Sequence, residues 1–123
     1  MYEVMIKTEF ASAHNLKFYK GACESLHGHN WKVEITVATD KLDEAGIAVD
    51  FNVLKAETNK VVDDLDHIYL NDHEAFKEKN PSSENIARYI FEEVSLSLGD
   101  KAKVKKVTIW ETDNAAASYM EKE

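Results

Sequence analysis

The chain has 123 residues, 44% of them hydrophobic, and its 15 basic and 23 acidic side chains leave a net charge of −8. That length predicts a single domain, 1–123, with one modest core. The acidic balance argues against a nucleic-acid surface, which needs a basic stripe, and no apolar run approaches the roughly 18 residues of a membrane span.

Cys23 is the only cysteine, so no disulfide closes within the chain. Met1-Tyr2-Glu3-Val4 lacks the charged-then-apolar pattern of a secretory signal. Both predict a cytoplasmic protein.

Residues 2–14 predict a strand. Tyr2, Val4, Ile6 and Phe10 share one parity, Glu3, Lys7 and Glu9 the other. His14 continues the apolar parity to the strand's end. Residues 15–26 are mixed, contain Gly21, and predict a long loop. A second strand comes next, with Trp31, Val33, Ile35 and Val37 on one parity and His27 and His29 extending it. Two imidazoles on alternate residues of a strand have Cα atoms about 6.7 Å apart. That spacing lets them converge on one ion at about 2.0–2.1 Å. If the two strands pair antiparallel, His14 meets His27 and His29 at one end of the hairpin.

Residues 40–49 predict a polar connection. A helix comes after it at about 51–65, capped by Asp50 or Asn52, with Phe51, Leu54, Thr58, Val61 and Leu65 as its inward stripe. It ends at Asp66-His67. Ile68-Tyr69-Leu70 is short and apolar. Residues 71–80 are charged and predict exposed chain, with His73 solvated. A second helix starts after Pro81 with Ser82 as cap and Glu84 at the positive end of the dipole. Ile86, Ile90, Val94 and Leu98 form its stripe, with Ala87 and Phe91 alongside, and Gly99 stops it. Residues 104–112 and 115–120 predict two further strands around a turn at Thr112-Asp113-Asn114. The order strand-strand-helix-helix-strand-strand predicts an α+β fold: a four-stranded antiparallel sheet with two helices packed on one face. Its open edges invite subunit pairing.

Three histidines on one face at one sheet end are the arrangement of a divalent-ion site with an open fourth position, zinc ahead of other ions. Cys23 has three readings: an inert buried thiol, a base or nucleophile activated by a nearby cation, or a fourth ligand that closes the site. Asp66-His67 reads as a helix-end pair or as a carboxylate-oriented imidazole for proton transfer. Glu111 shares the parity of Val107 and Ile109, so it is either a strand-end charge reaching water or an acceptor for a ligand's N–H groups.

Six segments, in this order, resemble the 6-pyruvoyl- and 6-carboxy-tetrahydropterin synthase family. They are Phe10-Ala11-Ser12-Ala13-His14, Cys23 through His27-Gly28-His29-Asn30, Asp50-Phe51, Leu65-Asp66-His67, Pro81-Ser82-Ser83-Glu84-Asn85 and Trp110-Glu111-Thr112-Asp113-Asn114. The three residues between Cys23 and His27 look like the bacterial 6-carboxy enzymes of queuosine biosynthesis. The resemblance implies the tunnelling fold, in which the sheets of several subunits join into a barrel, as a trimer or dimer of trimers with sites at subunit interfaces. It implies Zn2+ on His14, His27 and His29, and Cys23 as proton acceptor. It implies a relay through Asp66 and His67 from a neighbouring subunit, and Glu111 as pterin anchor with a share in that relay. Ser83 and Glu84 would line the pterin pocket. The implied substrate is a small pterin triphosphate, 7,8-dihydroneopterin triphosphate, with no nucleic acid or membrane as partner. Lys17, Lys20 and Arg88 are the candidates for its phosphates. The alternatives are the 6-pyruvoyl product, an aldolase-type reaction on dihydroneopterin, and a non-catalytic zinc module in which Cys23 is a ligand.

Overall fold

A computed structural model describes residues 1–18 and 24–122. Its elements run β1 (Tyr2–His14), β2 (His27–Thr39), α1 (Phe51–Val62), α2 (Ser83–Leu98), β3 (Lys103–Thr112) and β4 (Ala115–Met120). The sheet is antiparallel throughout, in the order β1-β2-β3-β4. Element order and sheet both match the expectation from the alternating and four-residue periods.

The register obeys the parity of the apolar residues. Ile6 faces Ile35, Phe10 faces Trp31, and His14 faces His27. A slip of one residue would turn this entire set outward. The inward sheet residues Ile6, Phe10, Trp31, Val33, Ile35, Val37, Val107 and Ile109 form one core with Leu54, Val61 and Val62 of α1 and Ile86, Ile90, Val94 and Leu98 of α2. Trp31, Ile35, Ile86, Ile90 and Ile109 are fully buried, each such aliphatic side chain contributing about 1.5–3 kcal/mol. On the outer face, Lys7 and Glu34 stand directly opposite each other and pair at 3.4 Å.

Strand β3 carries two irregularities. The register shifts beside Thr36 and Val37, leaving Lys105 as an extra residue, so Val104 and Val107 both face the core. It shifts again between Trp110 and Thr112, leaving Glu111 without a partner on β4. Such bulges bend a strand and re-aim the side chain they carry.

Asp50 is the cap of α1, its Oδ1 accepting from the Asn52 backbone at 2.7 Å. The helix is shorter than 51–65: it ends at Val62 and tightens into a 3₁₀ turn over Asp63–Leu65, which still buries Leu65. Phe51 is not part of the buried stripe; it is 60% exposed. Its angle on the helix is right, but at the first helical position it overhangs the end of the core. There it borders an open groove with Tyr2, Leu42 and Ile47.

Residues 71–80 also depart from expectation. Short turns at Leu70–Asp72 and Glu74–Phe76 bury Asn71 and Phe76. His73 is half-buried rather than solvated. Its Nδ1 accepts from the Ala75 backbone at 3.0 Å, and its ring meets Tyr89 edge-on at 5.3 Å. The charged residues of this stretch do point outward; the isolated apolar and carboxamide residues between them fold it back.

Among the described residues, no helix is long and apolar enough to cross a membrane.

Candidate metal centre

His14 is the last residue of β1 and His27 the first of β2, so the hairpin register sets them opposite each other. His29 faces Ser12 one step further along the same face. The rings meet edge-on, with centroids 4.6 Å apart for His14–His27, 5.5 Å for His14–His29 and 4.8 Å for His27–His29. Trp31, wholly buried, is the floor beneath them. It touches His14 at 4.7 Å and His29 at 5.2 Å, and its Nε1–H donates to the Ser12 carbonyl at 3.1 Å.

The hydrogen bonds behind the rings decide which nitrogens face forward. His14 Nδ1 lies 2.7 Å from the Pro81 carbonyl, and His27 Nδ1 lies 2.8 Å from the Ser25 carbonyl. A carbonyl oxygen only accepts, so each Nδ1 carries the proton and each neutral ring presents a bare Nε2. Those two Nε2 atoms stand 3.0 Å apart. The Glu111 carboxylate adds a further electron-rich atom, Oε1, at 3.1 Å from His14 Nε2, 3.2 Å from His29 Nε2 and 4.0 Å from His27 Nε2. Among the described residues His29 Nε2 is buried with no hydrogen-bond partner. Burial is the main cause that holds the His29 pKa below its ordinary value, ahead of the opposing pull of Glu111. The neutral form is thereby favoured, as a metal ligand requires.

Four ligand atoms, from His14, His27, His29 and Glu111, thus lie within 4.8 Å of one another. Electron pairs aimed at a common point repel unless a cation lies between them. Two imidazoles with their outer nitrogens tied to carbonyls are the usual second layer of a metal site. The donor set fits a divalent ion.

Glu24 is a residue that the reading of the sequence did not single out. Its Oε1 lies 3.8 Å from His27 Nε2. The signal was present in the sequence, as an acid three residues before a candidate ligand. Glu24 also ties the start of the second strand to the end of the first: its N–H donates to Leu16 O at 2.8 Å, and its carbonyl accepts from Asn15 Nδ2 at 3.1 Å. Cys23 and Lys20 lie outside the described residues.

Asp66 and His67 form a dyad, His67 Nδ1 to Asp66 Oδ2 at 2.8 Å. The other carboxylate oxygen accepts from the Ala11 N–H at 2.8 Å, and this bond, before that to His67, holds the Asp66 pKa below the usual carboxylate range. His67 donates its own N–H to Ala11 O at 2.6 Å and adopts a left-handed φ of 57°. The segment therefore runs along the free edge of β1. The His67 side chain is 80% exposed, and no hydrogen bond or ion pair among the described residues joins the dyad to the three imidazoles.

Ser83 and Glu84 sit in the first turn of α2, where Ser82 Oγ accepts from the Asn85 N–H at 3.1 Å. Only the Pro81 carbonyl, two residues before Ser83, reaches the cluster. Arg88 pairs with Glu92 at 3.5 Å and lies over the Tyr119 ring.

A family model described as 6-pyruvoyl tetrahydropterin synthase matches residues 3–122. A Synechocystis protein named 6-carboxy-5,6,7,8-tetrahydropterin synthase is 36% identical, over 97% of this chain and 93% of its own. A Bacillus subtilis protein of the same name is 38% identical, over 83% and 73%. The solved structure of Caenorhabditis elegans 6-pyruvoyl tetrahydropterin synthase superposes with a TM-score of 0.83 at 28% identity, covering 99% of this chain and 98% of that one.

Proposed function

Because the chain belongs to the 6-pyruvoyl tetrahydropterin synthase family, we propose that it is a zinc-dependent 6-carboxy-5,6,7,8-tetrahydropterin synthase. It would convert 7,8-dihydroneopterin triphosphate to 6-carboxy-tetrahydropterin, acetaldehyde and triphosphate, a step of queuosine biosynthesis. The carboxy product is supported by the names of the Synechocystis and Bacillus subtilis relatives and by the three-residue interval between Cys23 and His27.

The observation that carries the reading is the convergence of bare Nε2 atoms. His14, His27 and His29 would hold Zn2+ through those nitrogens, with the Nδ1–H groups of His14 and His27 kept on carbonyls. When bound, Zn2+ supplies Lewis acidity that lowers the pKa of side-chain hydroxyls. Cys23 is the residue assigned to take the carbon-bound proton, as thiolate. Asp66 holds His67 Nδ1–H, which leaves His67 Nε2 to take or give a proton. Glu111 brings a carboxylate to the same mouth, where an ionised carboxylate accepts two parallel N–H bonds from a pterin ring. Ser83 and Glu84 are assigned to the pocket wall at the α2 start. The 80% exposure of His67, with no hydrogen bond or ion pair to its own chain's imidazoles among the described residues, supports an active site completed by a second subunit.

The test is incubation with 7,8-dihydroneopterin triphosphate, with product mass and zinc content measured on one sample. A product bearing a single side-chain carbon, and about one zinc per chain, is expected. A product that keeps all its side-chain carbons would assign the pyruvoyl reaction instead, the activity for which the Caenorhabditis elegans protein is named.

A further inference from the structure

The proposed reaction needs a place for a triphosphate on a chain of net charge −8, and we infer that the cavity between residues 17–18 and 76–80 is an oligophosphate site. Its role rests on the proposed substrate; its existence rests on the geometry of the cavity itself.

The chain just after His14 has no regular structure, yet it is pinned by two carboxamide clasps. Asn71 Oδ1 accepts from Asn15 N–H at 3.1 Å, and Asn71 Nδ2 donates to Asn15 O at 2.8 Å. Asn80 does the same to Lys17, with both bonds at 2.8 Å. Asn80 is itself tied down by Asn85 Nδ2, which donates to its carbonyl at 2.8 Å. Each clasp satisfies a backbone N–H and C=O as a strand partner would. Between the clasped segments lies a cavity of about 360 Å³, lined by Lys17, Lys77 and Lys79 as its cations, Glu78 as its one carboxylate and the buried Phe76.

Among the described residues, Lys17, Lys77 and Lys79 enter no ion pair. Only Lys7, Lys32, Lys60 and Lys103 among the described lysines face a carboxylate, within 3.4 Å. Other described lysines are unpaired too, and a second cavity carries Lys101, Lys103 and Lys105, but there Asp40, Asp100 and Glu121 balance them. Here three ammonium groups meet one carboxylate, Glu78, and a polyanion is the ligand class that answers the excess. Ammonium groups bind phosphate oxygens as point charges without demanding one geometry, which suits a flexible chain of phosphates.

The position fits the same substrate. Lys17 is three residues beyond His14, a span of at most about 11 Å of extended chain. Asn80 immediately precedes Pro81, whose carbonyl holds the His14 ring. The cavity is therefore tethered to the imidazole cluster from both walls. The phosphates of the proposed substrate hang from the side-chain carbon beyond the hydroxyls that would face the imidazoles.

Titration calorimetry of the metal-free chain with inorganic triphosphate tests the site without chelation by a bound ion. Wild type binds; Lys77→Gln/Lys79→Gln binds at least about tenfold more weakly, and Glu78→Gln binds more tightly. Lys41→Gln/Lys55→Gln, which removes two positive charges elsewhere, keeps the wild-type affinity. In turnover, Lys77→Gln/Lys79→Gln raises KM for the pterin triphosphate far more than it lowers kcat. Equal triphosphate affinity in wild type and Lys77→Gln/Lys79→Gln, or no binding by either, overturns the site while leaving the proposed reaction standing. A wild-type chain that never turns over the pterin yet binds triphosphate through these lysines overturns the reaction and keeps the site.

Discussion

At the residue scale, the centre depends on which imidazole nitrogen is bare. The Pro81 and Ser25 carbonyls settle that for His14 and His27, and no pattern of residue types announces a backbone carbonyl. The histidines were legible because strand parity is strict: alternate residues share a face. Glu24 was marked only by its place three residues before His27, since a loop has no period to say where a side chain points. If the imidazoles hold the ion and Cys23 acts as base, His27→Ala loses both zinc and turnover, whereas Cys23→Ala keeps its zinc and loses turnover; metal analysis alongside an activity assay separates them. Zinc lost from Cys23→Ala would make the sulfur a ligand. The buried His29 makes a second prediction. Its folded-state pKa lies below the ordinary value of 6.5, chiefly through desolvation. Below that value the unfolded chain takes up the proton more readily than the folded one, so this group costs stability as pH falls. Denaturation midpoints of the metal-free protein are therefore expected to drop between pH 7.5 and 5.5, and to drop less in His29→Gln. An equal drop in both would remove His29 from the account.

At the element scale, periodicity located every strand and both helices, because each must turn one face to a shared core. It failed where burial depends on position along an element rather than on angle. Phe51 has the angle of the α1 stripe but lies past the core's end. Residues 71–80 hide Asn71 and Phe76 in short turns whose hydrogen bonds are local, leaving no repeat to detect. The bulge at Glu111 is equally silent in the sequence, yet it sets where that carboxylate points. The start of α2 ties an element to the site, since Ser82 caps the helix and Pro81 holds His14. Ser82→Ala is expected to lower folding stability by about 1 kcal/mol in urea denaturation. The loosened turn also weakens the grip on the His14 ring, so zinc affinity falls with it. A variant that loses stability but keeps wild-type zinc affinity would show that the cap and the centre are independent.

At the scale of the whole molecule, the question is how an exposed dyad with no bond to the imidazoles could take part in the proposed reaction. Asp66 and His67 run along the free edge of β1, where among the described residues they bond backbone groups of Ala11, each other and, through the Asp66 N–H, Asp63 O. Beyond that short clasp, neither β1 nor β4 has a second strand beside it among the described residues. Open edges of this length are commonly closed by another chain, and a ring of identical subunits closes all of them by one repeated contact. In such a ring the His67 of one subunit would reach the imidazoles of the next, as the proposed relay requires. Light scattering should then report a multiple of the 14.0 kDa chain mass. The sharper prediction comes from mixing. Cys23→Ala and His67→Ala are each expected to be nearly inactive alone. Unfolded together in equal amounts and refolded, they form rings in which about one site in four draws an intact Cys23 from one subunit and an intact His67 from its neighbour. Activity should return to roughly that fraction of wild type. If the dyad instead served its own chain, every site would lack one of the two groups, and the refolded mixture would stay as inactive as its parents.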